Sequence, residues 1–85
     1  TLTAIVTGAA RGIGLATTRL LLAKGYRVAM VDRDSEELQR AAKDLSQVLP
    51  VDCDVSEEHQ VTAMVQAVLD WAGRIDALVN SAGQR

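Results

Sequence analysis

Three glycines recur at a spacing that suits phosphate binding, in residues 7–14, which read Thr-Gly-Ala-Ala-Arg-Gly-Ile-Gly. An apolar run precedes this segment at residues 2–6, and a helix-like segment follows it at residues 15–24. Glycine lacks a β-carbon, so the chain can turn sharply there and its backbone can approach a ligand closely. The helix would then present unpaired N–H groups and the positive end of its dipole to an anion. The spacing therefore predicts a turn that binds the pyrophosphate of a dinucleotide.

Polar side chains follow three other apolar segments of the chain. Asp32 follows residues 28–31, Asp54 follows the third segment, and Asn80 ends residues 75–80. If these segments are parallel strands, their carboxyl ends lie at one edge of a sheet, beside the glycine turn. A nucleotide-binding crevice is expected at that edge, and this expectation depends on several strand ends rather than on one motif.

Four short apolar segments, residues 3–7, 28–31, 48–52 and 75–80, alternate with helix-like segments in a βαβαβαβ order. Such alternation predicts a parallel sheet with right-handed crossovers and with helices on both of its faces. Pro50 lacks the N–H that a central strand donates, so the third strand is expected at the edge of the sheet. The predicted fold is therefore α/β, a Rossmann-type doubly wound parallel sheet with strand order 3-2-1-4.

The helices are predicted from periodic apolar residues and from residues that suit helix ends. Asp34 with Glu37 forms a capping-box pattern at the start of the second helix. Ser56 is expected to cap the third helix, and Gly73 is expected to end it. The predicted apolar face of the first helix, residues 13–24, consists of Ile13, Ala16, Leu20 and Leu21. The predicted apolar face of the second helix consists of Leu38, Ala41, Ala42 and Leu45. That of the third helix consists of Val61, Met64, Val65, Val68, Leu69 and Ala72.

The composition argues against several other classes of protein and site. The 85 residues carry a formal net charge of −2 with both signs spread along the chain, which argues against nucleic acid or an anionic membrane as partner. No apolar run approaches the ~18 residues of a membrane span, and no cationic leader is visible. The single cysteine, Cys53, cannot form an internal disulfide, and no cluster of ligands accompanies His59 to bind a metal. A cytoplasmic protein without a metal site is therefore expected.

The spacing Thr-Gly-x-x-x-Gly-x-Gly in residues 7–14 differs from the G-x-G-x-x-G fingerprint and resembles the short-chain dehydrogenase/reductase family. Three further features match that family: the acid Asp32, the pair Asp54-Val55, and the segment Asn80-Ser81-Ala82-Gly83. Ser81 replaces the second Asn of the family's Asn-Asn-Ala-Gly, a mild change that is compatible with the same turn. The four elements occur in the family's order, and the resemblance covers the whole chain.

The resemblance implies that the glycine turn binds the pyrophosphate of a nicotinamide dinucleotide. Gly8 would allow the tight turn, while Gly12 and Gly14 would allow the close approach of pyrophosphate and the close packing of the helix. Ile13 would offer a backbone N–H to the ligand. Arg11 lies where family members bring a basic side chain near the adenosine phosphate, and an ordinary solvated arginine is the alternative. For the glycines the alternative is a tight turn between strand and helix without a ligand.

Asp32 is the residue that selects the cofactor under this resemblance. It lies eighteen residues after Gly14, near the offset of about 20 residues at which an acid binds the adenosine ribose hydroxyls. A carboxylate there would repel the 2′-phosphate of NADP, so NAD is expected rather than NADP. Arg33 is the counter-argument, because a guanidinium can bind that phosphate through two hydrogen bonds. The remaining alternative is that Asp32 is an ordinary turn residue.

The other residues that the resemblance identifies would lie near adenine and its ribose. The Asp54 carboxylate would accept a hydrogen bond from the adenine amino group, and the Val55 backbone would complete this contact. Otherwise, Asp54 would be a helix-flanking acid that assists the cap of the third helix. Asn80 would tie neighbouring strands together, while Ala82 and Gly83 would let the ribose pack closely.

Members of the family transfer hydride with a Tyr-x-x-x-Lys pair and a serine, and this chain lacks that pair. Its one tyrosine is Tyr26, and Met30 stands four residues later. No catalytic residue is therefore expected within the 85 residues, which would form the N-terminal part of one NAD-binding Rossmann domain.

The whole protein would, by this resemblance, be an NAD(P)-dependent oxidoreductase that interconverts an alcohol and a carbonyl by hydride transfer. Its substrate would be a small molecule, and it would assemble as a homodimer or homotetramer. The alternative is a non-catalytic dinucleotide-binding or sensor module. Such a module would lack the tyrosine–lysine pair altogether.

Overall fold

The computed structural model describes residues 1–81, in which four strands alternate with three helices. The strands are β1 (Thr3–Thr7), β2 (Arg27–Asp32), β3 (Val48–Asp52) and β4 (Ala77–Asn80), and the helices are α1 (Gly12–Ala23), α2 (Ser35–Ala42) and α3 (Glu58–Ala72). All strand pairs are parallel in the order β3-β2-β1-β4, which confirms the predicted sheet. Pro50 lies in the edge strand β3, opposite Met30, as its missing N–H predicts.

Helices cover both faces of the sheet, and each face has its own apolar core. The core beneath α1 and α2 contains Val6, Ala9, Ala10, Val28, Met30, Leu38 and Ala42. The core beneath α3 contains Ile5, Ala29, Val31, Cys53, Met64 and Val68. Successive residues of β1 and β2 contribute to opposite cores, because side chains alternate across a strand. Burial on both faces explains why these strands are apolar almost throughout.

The predicted apolar faces of α2 and α3 pack against these two cores. Leu38 and Ala42 are buried in α2, and Met64 and Val68 are buried in α3. Four more of the predicted residues are half-buried against the cores: Ala41, Leu45, Val61 and Val65. Leu69 is the exception, because 39% of its surface is exposed. The periodicity therefore gives the inward faces of both helices correctly.

Helix α1 packs on the sheet with a face different from the predicted one. Its buried residues are Gly14 and Thr18, whereas Ile13 and Leu20 are 63% and 58% exposed. Leu21 is half-buried, but the predicted face as a whole is wrong. The Thr18 hydroxyl donates a hydrogen bond to the Gly14 carbonyl oxygen at 2.9 Å, so its burial leaves the hydroxyl satisfied. Gly14 and Thr18 thus face the sheet most closely, and Leu15, Leu21 and Leu22 pack against the core beside them.

Ser56 does not cap α3, contrary to the prediction. The helix begins at Glu58, and Glu57 occupies the N-cap position without a capping hydrogen bond from its side chain. The N–H and the hydroxyl of Ser56 instead donate to Asp54 Oδ1, at 3.0 and 2.7 Å. Asp54 and Ser56 therefore form a turn of their own between β3 and α3. Gly73 ends α3, as predicted.

Strand β4 begins at Ala77, two residues later than predicted. Just before it, the Asp76 N–H donates to the Thr3 carbonyl oxygen, and the Thr3 N–H donates to Asp76 Oδ2, both at 2.8 Å. Arg74 holds the same carboxylate through its guanidinium, and this hydrogen bond is the main reason that the pKa of Asp76 is lowered. The entry to β4 is thus fixed by side-chain hydrogen bonds to Asp76.

Candidate nucleotide-binding site

A cleft of about 700 Å³ opens at the carboxyl ends of the strands. Ligands of open α/β sheets bind in a crevice at this edge. The residues singled out in the sequence that line the cleft are Gly8, Arg11, Gly12, Ile13, Gly14, Asp32, Arg33, Asp54 and Val55. They lie at or just after the ends of β1, β2 and β3 and in the first turn of α1. Four strand ends were expected to converge here, and the end of β4 contributes to the lining through Ser81.

Three of the residues singled out in the sequence do not line this cleft. Asn80 ends β4 and lies outside the lining. Ala82 and Gly83 lie outside the described residues. The lining also includes Asp34 and Ser81, which the sequence analysis did not place in the site. The sequence pattern identified Asp34 only as a helix cap. Because Asp34 stands two residues after Asp32, its place in the cleft could have been predicted.

The glycine turn brings an uncapped helix end to the cleft. The first hydrogen bond within α1 joins the Leu15 N–H to the Arg11 carbonyl oxygen at 3.3 Å, and the Arg11 side chain does not cap the helix. The N–H groups of residues 12–14 therefore have no acceptor within the helix. The first turn of α1 carries no acidic residue, whereas the first turn of α2 carries Glu36 and Glu37. The end of α1 is thus free of a carboxylate of its own and suits an external anion.

The glycines of the turn differ in what surrounds them. A β-carbon at Gly14 would lie 2.6 Å from the Gly8 carbonyl carbon and 2.7 Å from the Ser81 hydroxyl oxygen. A β-carbon at Gly12 would meet no atom within 4 Å. Gly8 and Gly12 have φ angles of 66° and 58°, in the left-handed region that glycine adopts readily. Gly14 therefore seats the helix on the sheet, while Gly12 leaves open space at the cleft.

The Asp32 carboxylate faces the glycine turn. Its Oδ2 accepts a hydrogen bond from the Ala10 N–H, and its Oδ1 accepts one from the Asp34 N–H, both at 3.0 Å. The backbone strengthens this link, because the Ala9 N–H donates to the Val31 carbonyl oxygen at 3.1 Å. Each carboxylate oxygen has about two acceptor positions, so both oxygens can accept a further hydrogen bond from a ligand.

Arg11 and Asp34 form an ion pair at the mouth of the cleft. Their side chains are 61% and 44% exposed. Asp34 also caps α2, because its Oδ1 accepts a hydrogen bond from the Glu37 N–H at 3.2 Å. That backbone hydrogen bond is the main reason that the pKa of Asp34 lies below its ordinary value, and the Arg11 guanidinium lowers it further. The cap was predicted from the sequence, whereas the ion pair was not.

Asp54 lies on the side of the cleft formed by the turn after β3. The hydrogen bonds from the hydroxyl and N–H of Ser56 lower the pKa of Asp54, and the positive charge of Arg33 lowers it further. The Asp54 N–H donates to Gln60 Oε1 at 2.8 Å, which fixes the turn to α3. Among the described residues, no hydrogen bond reaches Asp54 Oδ2, so that oxygen is available to a donor in the cleft.

Asn80 and Ser81 join the end of β4 to the end of β1. The Thr7 hydroxyl donates to Asn80 Oδ1 at 2.8 Å and accepts a hydrogen bond from the Ser81 N–H at 3.1 Å. The Ser81 hydroxyl donates to the Thr7 carbonyl oxygen. Asn80 therefore ties the two strands together, and serine at position 81 adds a hydrogen bond of its own.

The described residues give little scope for thiol or metal chemistry. Burial, followed by the charges of Asp54 and Asp52, raises the pKa of the Cys53 thiol, which disfavours the reactive thiolate. Within residues 1–81, no three His, Cys, Asp or Glu side chains are arranged to hold a metal ion. No described helix has both the length and the apolar composition needed to cross a membrane.

Comparison with known proteins gives consistent matches. A family model described as short chain dehydrogenase matches residues 2–85. Carbonyl reductase family member 4 of Xenopus tropicalis is 40% identical over 80 residues, which cover 94% of this chain and 34% of that protein. 2-(R)-hydroxypropyl-CoM dehydrogenase of Xanthobacter autotrophicus is 44% identical over 85 residues, which cover 94% of this chain and 34% of that protein.

A solved structure also resembles the chain over most of its length. It is the crystal structure of 3-ketoacyl-(acyl-carrier-protein) reductase from Brucella melitensis complexed with NADH. The TM-score is 0.87 at 35% identity, and the match covers 91% of this chain and 32% of that one. The chain thus spans about a third of the length of the relatives it matches.

Proposed function

Because the chain belongs to the short-chain dehydrogenase family of oxidoreductases, we propose that it forms the NAD-binding part of an enzyme that interconverts an alcohol and a carbonyl. Bound NAD would supply or accept the hydride. The chain would be the N-terminal part of one Rossmann domain in a longer protein, since it spans about a third of its relatives. A small-molecule alcohol or carbonyl would be the substrate.

The observation that carries this proposal is the meeting of the α1 N-terminus and the Asp32 carboxylate in one cleft. The N–H groups of residues 12–14 would bind the pyrophosphate, and the open space beside Gly12 would let it approach. Asp32 would accept hydrogen bonds from the hydroxyls of the adenosine ribose. The hydrogen bond from the Ala10 N–H to Asp32 sets the spacing of these two subsites.

The adenine end of the ligand would lie against the turn after β3. Asp54 Oδ2 would accept a hydrogen bond from the adenine amino group, and the Val55 backbone would contact the same edge of the base. Both residues line the cleft, and the hydrogen bonds of Ser56 keep Asp54 ionised and oriented. Ala82 and Gly83 would let the adenosine ribose pack closely.

NAD is proposed in preference to NADP because of the charge at Asp32. A 2′-phosphate on the adenosine ribose would lie beside this carboxylate, and two negative groups in contact repel each other. Arg33 lines the same cleft and would be the natural partner of a 2′-phosphate. Its charge also contributes to the lowered pKa of Asp54.

Binding titrations of the full-length protein test the proposal. NAD is expected to bind, and Asp32→Ala is expected to weaken this binding by about 1–3 kcal/mol because ribose hydroxyls lose their acceptors. The same substitution should relax the discrimination against NADP. Asp52→Ala is the matched control, since Asp52 pairs with Asp32 across the strands but does not line the cleft. An unchanged affinity for both dinucleotides in Asp32→Ala would remove Asp32 from the site.

The second candidate function is a non-catalytic dinucleotide-binding or sensor module. The 85 residues contain no Tyr-x-x-x-Lys pair, and a full-length protein that also lacks the pair would be such a module. Tyr26 precedes β2 and so lies at the opposite end of the strands from the cleft. Incubating the full-length protein with NADH and a panel of carbonyl compounds separates the two functions. Oxidation of NADH supports the enzyme, and tight binding without turnover of any compound supports the sensor.

The compartment and assembly form a further part of the proposal. A cytoplasmic location agrees with a lone, buried cysteine that has no disulfide partner in the chain. The homodimer or homotetramer proposed for the full-length protein follows from the family resemblance. Light scattering of the full-length protein gives its mass directly, and a monomer at micromolar concentration would contradict this part.

A further inference from the structure

Both arginines that line the cleft share it with carboxylates. Arg11 is paired with Asp34, and the charge of Arg33 acts on Asp54. Counting Asp32 as well, the described lining of the cleft holds three carboxylates and two guanidinium groups. The cleft is therefore poorly suited to a dinucleotide such as NADP, whose 2′-phosphate adds two negative charges to the adenosine ribose.

The Arg11–Asp34 pair links the start of α1, where the pyrophosphate would bind, to the turn after β2, next to the proposed ribose site. Arg11 directly precedes Gly12 at the end of α1, and Asp34 stands two residues after Asp32. Asp32 is held to this same region, because it accepts hydrogen bonds from the N–H groups of Ala10 and Asp34. A phosphate on the ribose beside Asp32 would therefore lie near the Arg11 guanidinium.

We propose that Asp34 is a specificity-determining residue that disfavours NADP by keeping the Arg11 guanidinium paired. The inference rests on the proposed binding of a dinucleotide in this cleft. A free guanidinium binds phosphate through two parallel hydrogen bonds, and Asp34 competes for the same donors. Asp34 also adds a negative charge that repels the 2′-phosphate. NAD, which has hydroxyls alone on this ribose, does not need Arg11 to be free.

The exposure of the pair sets the size of the expected effect. Both side chains are partly exposed, and ion pairs of this kind are individually weak, so a phosphate can separate them. Removing the carboxylate should therefore strengthen NADP binding moderately, by about tenfold rather than by several orders of magnitude.

Asp34→Asn removes the charge while keeping the local fold. Asparagine caps helices about as well as aspartate does, so its carbonyl oxygen can still accept from the Glu37 N–H. The matched control is Glu36→Gln, which removes the same charge from the first turn of α2. The Glu36 carboxylate lies 3.6 Å from Arg40 and is not paired with Arg11.

The experiment measures dissociation constants of NAD and NADP for the full-length protein and its variants. Asp34→Asn is expected to tighten NADP binding about tenfold and to change NAD binding less than about twofold. Glu36→Gln should change neither constant appreciably. In an Arg11→Gln background, Asp34→Asn should improve NADP binding much less, because only the repulsion by the Asp34 charge is relieved and no guanidinium is freed.

Three results would overturn the inference. The ratio of the NADP and NAD dissociation constants could be unchanged in Asp34→Asn, or Glu36→Gln could tighten NADP binding as much as Asp34→Asn does. The third result is that Asp34→Asn tightens NADP binding equally in the Arg11→Gln background. The wild-type protein distinguishes this failure from failure of the proposed function. If it binds neither dinucleotide, the proposed function is wrong. If it binds NAD and the variants leave the ratio of the NADP and NAD dissociation constants unchanged, only the proposed role of Asp34 is wrong.

Discussion

Gly14 lies so close to Ser81 that a β-carbon at position 14 would approach the Ser81 hydroxyl oxygen to 2.7 Å. The same β-carbon would lie 2.6 Å from the Gly8 carbonyl carbon, so α1 is seated directly on the turn after β1. Ser81 is itself held in place, because its hydroxyl donates to the Thr7 carbonyl oxygen. The absence of a side chain at position 14 thus determines where the first N–H groups of α1 lie.

Gly14→Ala is expected to lower the free energy of unfolding by about 2–4 kcal/mol, because backbone atoms of the turn after β1 must move. Gly12→Ala should cost only about 1–2 kcal/mol, the strain of a left-handed residue with a β-carbon, since the space beside Gly12 is open. Chemical denaturation of the full-length protein gives both values. Equal losses in the two variants would contradict the seating of α1 through Gly14.

Thr7→Val is expected to destabilise the protein by about 1–3 kcal/mol, because the Ser81 N–H and Asn80 Oδ1 lose their shared partner. Thr3 provides the control on the same strand. Its Oγ1 is buried and has no hydrogen-bond partner among the described residues. Thr3→Val should therefore leave the stability within about 0.5 kcal/mol or increase it. A Thr3→Val loss as large as that of Thr7→Val would show that the hydroxyl of Thr7 does not tie β1 to β4.

Ser56→Ala is expected to raise the pKa of Asp54 towards its ordinary value, since the hydroxyl hydrogen bond is the main cause of the lowered pKa. A carboxyl group whose pKa is lower in the folded state stabilises the fold above its unfolded pKa. This stabilisation is lost as the pH falls through the pKa that Asp54 has in the folded state. Wild type should therefore retain the stabilisation to a lower pH than Ser56→Ala does. Titration followed by carbon-13 NMR of the Asp54 carboxyl group measures the shift.

Ser56→Thr is the matched control for this experiment, because it keeps a hydroxyl at the same position. Its Asp54 pKa should remain close to that of wild type. A Ser56→Ala variant with an unchanged Asp54 pKa would mean that the Ser56 hydroxyl does not set the ionisation of this carboxylate.

The strands and their order could be predicted from the sequence because each depends on local properties. Both central strands are buried on two faces and read as apolar runs, and Pro50 identifies β3 as an edge strand. The convergence of three turns on one cleft then follows from the parallel order of the strands. The position of the residues that line the cleft was predictable for the same reason.

The buried face of α1 could not be predicted from apolar periodicity. Close contact between helix and sheet places Gly14 and Thr18 inward, while Ile13 and Leu20 are left exposed. Periodicity assigns large apolar residues to the core, and it misses contacts made through small residues such as Gly14 and Thr18, beside which Leu15, Leu21 and Leu22 pack. A glycine within the first turn of the helix was the available indication of such close packing.

Hydrogen bonds between side chains account for the other differences. Ser56 matched the pattern of a helix cap, but Asp54 competes for its N–H and its hydroxyl. Asp34 matched the same pattern correctly and also pairs with Arg11, a contact between turns far apart in the sequence. Such pairings depend on the tertiary arrangement of turns, which local sequence patterns do not contain.

A crystal structure of the full-length protein bound to NAD would show where the dinucleotide lies. We expect pyrophosphate oxygens to accept hydrogen bonds from the N–H groups of residues 12–14, and adenosine ribose hydroxyls to donate to the Asp32 carboxylate. A dinucleotide bound elsewhere on the protein, or bound in this cleft with Asp32 out of contact with the ribose, would contradict this expectation.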